Sequence, residues 1–90
     1  MLPSMPQQYA IQARLNFMLG AEIYDRLFPG FVCGPVLEGT VSVFVEDEHR
    51  ASVIAAGYCW HVAAAIESVL KRAVRHVNVL PQDVWRSQIR

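Results

Sequence analysis

From Gln7 onward the apolar residues Ile11, Leu15, Met18 and Leu19 recur at i, i+4, i+7 and i+8, which predicts an amphipathic helix with Gln8, Gln12 and Asn16 turned outward. Met1 to Pro6 carries two prolines and reads as irregular, and Gly20 supplies the helix stop. A second, short helix fits Ala21 to Phe28, with Ile23, Tyr24, Leu27 and Phe28 on one side and Glu22, Asp25 and Arg26 on the other; Pro29-Gly30 ends it. Phe31 to Pro35 is weakly patterned. Because Pro35 cannot donate to a ladder, Val36-Leu37-Glu38 reads as an edge strand, and Glu38-Gly39 as the tight turn of a hairpin.

The clearest stretch follows. In Thr40 to Val45 the valines 41, 43 and 45 share one face of an extended chain, while Thr40, Ser42 and Phe44 take the other. An acidic cluster, Glu46-Asp47-Glu48, then leads into some 25 residues without proline. There Ala51, Ile54, Tyr58, Val62, Ala65, Ile66, Val69 and Ala73 predict one long helix laid across a sheet, with Glu67, Lys71 and Arg75 opposite. Gly57, costly in mid-helix by roughly 1 kcal/mol, marks a kink or a close backbone approach. His76-Val77-Asn78-Val79 closes the unit as a strand, and Pro81 opens a polar tail, residues 81–90, carrying Trp85. The predicted order is ααββαβ, a single α+β domain over residues 7–80.

Composition adds one constraint. An apolar fraction of 53% in 90 residues exceeds what so small a domain hides, which implies self-association or a partner surface. Net charge is zero, so bulk electrostatics does not hold this chain to nucleic acid or membrane. The charges are nevertheless segregated: Glu22 to Glu48 holds six acids and one base, Arg26, while Lys71 to Arg90 holds five bases and one acid, Asp83. Two cysteines, Cys33 and Cys59, and an N-terminus lacking a basic and apolar leader point to reduced thiols in a cytoplasmic protein.

Candidate chemistry is sparse. Glu46 to His49 packs three carboxylates and an imidazole into four residues, but adjacent side chains diverge, so helix capping fits better than a metal site. His49, His61 and His76 lack zinc-ligand spacing, and Cys59 and His61 face apart on a helix. No phosphate loop or nucleophile elbow occurs, so neither catalysis nor a cofactor is expected. Trp60 falls outside the apolar helix face, beside Ala64 and Glu67, as a contact residue or as a group packed under the first helix or the tail. Lys71, Arg72, Arg75 and His76 suit phosphates, or simply the negative end of a helix.

Taken together, these elements resemble the N-terminal domain (domain I) of the bacterial replication initiator DnaA. Leu19, Tyr24, Leu27 and Phe28 fall on that family's second-helix pattern and Gly39 to Val45 on its Gly-Thr-[Val/Leu] strand. Val53, Ile54, Tyr58, Val62, Ile66 and Leu70 fall on the long helix, and Arg75 to Val79 on the closing strand. The resemblance implies a KH-like α+β fold without catalysis. It also implies self-association through the first helix, docking of the replicative helicase and of initiation regulators on the second helix and the start of the third, and weak contact with single-stranded DNA. The family's acidic contact of helix two falls on Ile23, next to Glu22, and its aromatic contact at the start of helix three falls on His49. Its helix-two tryptophan is Leu27, and its self-association tryptophan has Gln8 or Tyr9 opposite. DciA-type helicase-loading domains share the strand, long helix, strand unit, but they are strongly basic and this chain is neutral.

The expected function is a docking adaptor in replication initiation or its control. Glu22, Ile23, Asp25, Glu48, His49 and Trp60 would form the protein-partner surface, and Tyr9, Ile11, Phe17 and Met18 a homodimer seam. The competing class is a single-stranded nucleic-acid binder using Lys71, Arg72, Arg75 and Arg86, with Trp60 or Trp85 as stacking groups.

Overall fold

A computed structural model describes residues 2–82. Its elements are α1 (Met5–Leu19), α2 (Ala21–Leu27), β1 (Val32–Leu37), β2 (Thr40–Val45), α3 (Glu48–Gly57), α4 (Cys59–Leu70) and β3 (His76–Pro81). The fold is α+β, with a three-stranded mixed sheet in the order β1-β2-β3. β1 runs antiparallel and β3 parallel to the central β2. Trp85 and Arg86 lie outside the described residues.

β2 is the spine because both of its edges are paired and its valines face the core. Val41, Val43 and Val45 are fully buried against Ile11, Leu15, Ile54, Val62 and Ile66. Each such aliphatic side chain contributes about 1.5–3 kcal/mol by leaving water. The β1–β2 turn is the two-residue hairpin the sequence suggests: Glu38 (φ 51°) and Gly39 (φ 82°) both take the left-handed conformation that a primed turn requires. The Gly39 carbonyl then accepts from the Arg75 and His76 backbone N–H groups, fixing where β3 starts.

Four features depart from the periodicity. First, α1 begins at Met5, two residues before the apolar stripe. Ser4 and Gln7 cap each other reciprocally, and proline in the first turn removes no helical hydrogen bond. Second, the long helix is two helices meeting at 85°, broken at Tyr58 (φ −129°, ψ 7°) just after Gly57. A straight helix from Glu48 to Leu70 would run about 35 Å, longer than the 30 Å of the molecule's greatest dimension. The bend lets Ala51 and Ile54 cover the sheet while Val62, Ala65 and Ile66 meet the rest of the core. Gly57 marks the kink and not a close approach, since a Cβ there would meet nothing within 4 Å.

Third, β1 starts at Val32 and absorbs Gly34-Pro35 as a bulge: Cys33 pairs with Val43 and Val36 with Val41, so two residues of β1, Gly34 and Pro35, stand against one of β2, Ser42. A Cβ on Gly34 would sit 2.6 Å from the Ser42 carbonyl oxygen, so only glycine lets the strands approach. β3, for its part, runs on to Pro81, paired with Val45, because an edge strand tolerates a missing N–H.

Fourth, Gln8 points inward. Its side-chain amide donates to the Cys33 carbonyl (2.8 Å) and accepts from the Cys33 N–H (2.9 Å), serving the outer edge of β1 as a neighbouring strand would. One helical turn on, Gln12 donates to the Phe31 carbonyl (3.4 Å). Four helical residues rise about 6 Å and two strand residues about 6.6 Å, so α1 matches alternate groups of the strand edge. Replacing Gln8 by Leu strands a buried N–H and C=O and is expected to cost about 1–3 kcal/mol, read as a lower urea midpoint. Gln12→Ala, with one long bond at a half-buried position, stays within about 0.5 kcal/mol. Equal costs for the two would show that Gln8 does not hold the edge.

Candidate functional site: the exposed faces of α1, α3 and α4

With Gln8, Ile11 and Leu15 inward, the opposite face of α1 carries Ala10, Ala13, Arg14 and Phe17, at i, i+3, i+4 and i+7. This stripe is the wall of an open groove of about 530 Å³ whose other side is Ser68 and Val69 of α4 and the following Lys71. Phe17 is 83% exposed and Tyr9 61% exposed. Of the predicted seam residues, Tyr9 and Phe17 are free to touch a partner. Ile11 is not, being fully buried, and Met18 is half-buried and packed on the core. Ile11 therefore belongs to the core alone: its 3.6-residue spacing with Leu15 fits one face of the helix, and the seam lies on the other. The small residues Ala10 and Ala13 were legible as a neighbour stripe of Phe17, but the stronger apolar periodicity of Ile11 and Leu15 hides them.

At the α2–α3 corner, Asp47 caps α3 by accepting from the Arg50 N–H (2.9 Å). Arg50 reaches Glu46 (3.3 Å) and Asp47, and its Nε donates to the Arg26 carbonyl (2.8 Å), tying α3 to the end of α2. His49 lines the adjoining groove with Arg26, Leu27, Arg50 and Val53. Glu22, Asp25 and Glu48 are exposed but do not line it, and Ile23 is half-buried against the core. The acidic run thus serves as a helix cap, and among the described residues no three His, Cys, Asp or Glu side chains converge as a metal site.

Trp60 is 75% exposed on the first turn of α4 and meets the His61 ring edge-on, at 5.6 Å between centroids. His61 also packs on Tyr58, and its Nδ1 is buried without a hydrogen-bond partner among the described residues. Trp60 does not line the α1–α4 groove. Lys71, Arg72 and Arg75 are all exposed, yet each lines a different depression. Lys71 faces the α1–α4 groove, Arg72 a hollow with Leu2 and Val36, and Arg75 the hairpin turn beside Glu38. Lys71 takes the left-handed conformation at the end of α4 (φ 58°), and Glu67 is engaged by the Val74 N–H (2.7 Å). The basic residues are thus spread over three separate hollows and do not share one.

The thiols are held protonated. Burial pushes Cys33 up to about 12 and raises Cys59 above its usual value, and Cys33 donates to its neighbour Gly34's carbonyl. No helix among the described residues is long and apolar enough to cross a membrane by itself. No family model, curated protein or solved structure matches the chain. What the geometry defines is an α+β domain whose most exposed aromatic groups, Tyr9, Phe17 and Trp60, lie on helix faces, with Leu37 exposed at the end of β1.

The hydrogen bond from the Arg50 N–H, aided by the guanidinium charge, holds the Asp47 carboxyl below the usual range. A carboxyl lowered on folding favours the folded state above its ordinary value of about 4 and loses that contribution as pH falls through the depressed value. Asp47→Asn keeps a capping side chain but removes the titration. Urea midpoints for this variant should therefore fall less steeply below about pH 4 than for the wild type. An unchanged acid limb would assign that limb to other carboxylates.

Proposed function

We propose that this chain is a non-catalytic docking module that pairs with a second copy of itself through the α1–α4 face and receives a protein partner at the α2–α3 corner. The observation that carries the reading is Phe17. A phenylalanine 83% exposed, set on a stripe of small residues beside an apolar groove, costs solubility unless a partner covers it. A second copy suits the place because the stripe and the groove are neighbours on one protomer. Two copies related by a twofold axis can each lay Phe17 into the other's groove.

The resemblance to the DnaA N-terminal domain gives the module its setting, a cytoplasmic role in replication initiation or its control, with the replicative helicase or initiation regulators as partners. The KH-like arrangement belongs to the same proposal. It is supported by a sheet in which a helical crossover joins two parallel strands, β2 and β3. At the corner, His49 lines a groove with Arg26 and Val53, and the exposed Glu22, Asp25 and Glu48 lie on the same two helices, α2 and α3; together they offer charge that selects and steers a partner more than it tightens binding. Trp60 adds an exposed aromatic anchor on α4.

Single-stranded nucleic-acid binding is the second reading, and the exposure of Lys71, Arg72 and Arg75 favours it. Against it stand zero net charge and the lack of any Gly-x-x-Gly, the loop with which KH modules clamp a nucleic-acid backbone. Affinity for a single strand that falls steeply with salt would favour this second reading.

Static light scattering decides the seam. Phe17→Ser is expected to weaken self-association through α1 by about tenfold while leaving the urea midpoint within about 0.5 kcal/mol of wild type. If wild type and variant associate equally, the α1–α4 face is not the seam.

A further inference from the structure

The two edges of the sheet are treated differently. The β1 edge carries a bulge and Pro35, and Gln8 and Gln12 occupy its outward groups. These are the devices by which proteins keep an edge strand from pairing with another chain. β3 has none of them along His76 to Leu80: no bulge, no charged side chain, and no proline until its last residue, Pro81. Among the described residues no backbone or side-chain group bonds to its outer edge.

Beside that edge runs a further groove, of about 300 Å³, between α3 and the end of β3. Its helix wall is made of the small residues Ala51, Ser52 and Ala55 together with Glu48, and its strand wall is Val79 to Pro81. Val77 and Val79, paired with the buried Val41 and Val43, point to the helix side of the sheet, and Asn78 to the other. A strand added to β3 would set its own alternate side chains into this groove.

We propose that β3 pairs antiparallel with β3 of a second copy about a twofold axis at Asn78, joining two three-stranded sheets into one of six. Three observations select that occupant. In this register Val77 lies opposite Val79 of the partner subunit, on the helix side, so the apolar layer continues across the seam. Asn78 meets its own counterpart on the exposed face, and no charged residue within the strand faces a like charge. Finally, the segregated charges complement each other. Glu48 sits by Pro81, at one end of β3, and Arg75 immediately precedes the other end. Antiparallel pairing brings Arg75 of the partner subunit opposite Pro81, beside Glu48, and the twofold repeats the contact. A parallel strand would put acids against acids. This seam uses no residue of the α1–α4 face, so a protomer with both makes assemblies larger than dimers.

Sedimentation equilibrium with four proteins separates the two seams. Wild type should pass beyond the dimer, and Phe17→Ser should stop at a dimer held by β3. Asn78→Lys sets like charges opposite each other at an exposed position; it should stop at a dimer held by α1, and the double variant should be monomeric. Failure of the α1 seam leaves Phe17→Ser unchanged from wild type and does not touch the β3 result. Should Asn78→Lys disturb folding, charge reversal serves. Glu48→Arg or Arg75→Glu alone should weaken the β3 dimer about tenfold, and the two together should restore it. A direct readout is Asn78→Cys in a Cys59→Ser background. Paired residues across an antiparallel seam lie about 4.5–5.5 Å apart, within disulfide reach, so mild oxidation should give a covalent dimer. His76→Cys, opposite Leu80 of the partner subunit, should not. Asn78→Lys without effect on association, or equal cross-linking at 76 and 78, overturns the proposal. So does a monomer in which a peptide or the chain's own tail covers the edge, since Asn78→Cys then forms no dimer.

Discussion

The grip of the Gln8 amide on the backbone of Cys33 organises this molecule. A three-stranded sheet has two edges, and the bulge at Gly34-Pro35 leaves the β1 edge irregular and unable to recruit a regular neighbour. Gln8 substitutes for that neighbour with one donor and one acceptor in the right order, and Gln12 repeats the donation two strand residues away. Buried backbone groups left unpaired are expensive, so α1 is locked in rotation as well as position. Ile11 and Leu15 then face the sheet, and Ala10, Ala13 and Phe17 must face away. The exposed stripe on α1 is the other side of the staple.

The break at Tyr58 does comparable work for the opposite half. Ninety residues cannot wrap a straight helix of some 35 Å without leaving both ends in solvent, and the bend turns one long apolar face into two short ones. α3 covers β2 and β3, while α4 packs against α1. The geometry has a cost in surface: Trp60, on the first turn after the bend, is left standing out. Both prominent aromatic groups, Phe17 and Trp60, are thus exposed by constraints of backbone pairing and helix length, on helices whose inner faces are already satisfied.

Charge follows the same logic. Asp47 and Glu46 hold Arg50, which fastens α3 to the end of α2, so the acidic run that draws the eye in the sequence is spent largely on a cap and a corner. Glu48 at one end of β3 and Arg75 at the other, neither ion-paired among the described residues, make a dipole along a strand whose outer edge no described group bonds. Its consequence is directional: it distinguishes an antiparallel neighbour from a parallel one without adding much affinity.

Local pattern alone determined much of the plan: the α1 core stripe, the short α2, the Glu38-Gly39 turn, the alternation of β2, the helix start at the acidic run and the strand at His76. Each of these depends on neighbours a few residues apart, which is what a one-dimensional pattern records. Gly57 was legible as an anomaly, though not as an 85° corner, because the room available for a helix is a property of the whole domain. The inward turn of Gln8, the bulge at Gly34-Pro35, the assignment of Ile11 to the core alone and the scattering of Lys71, Arg72 and Arg75 over three hollows were decided only by tertiary structure. A polar side chain is outward by periodicity and inward by hydrogen bonding, and the backbone group that settles which lies 25 residues away.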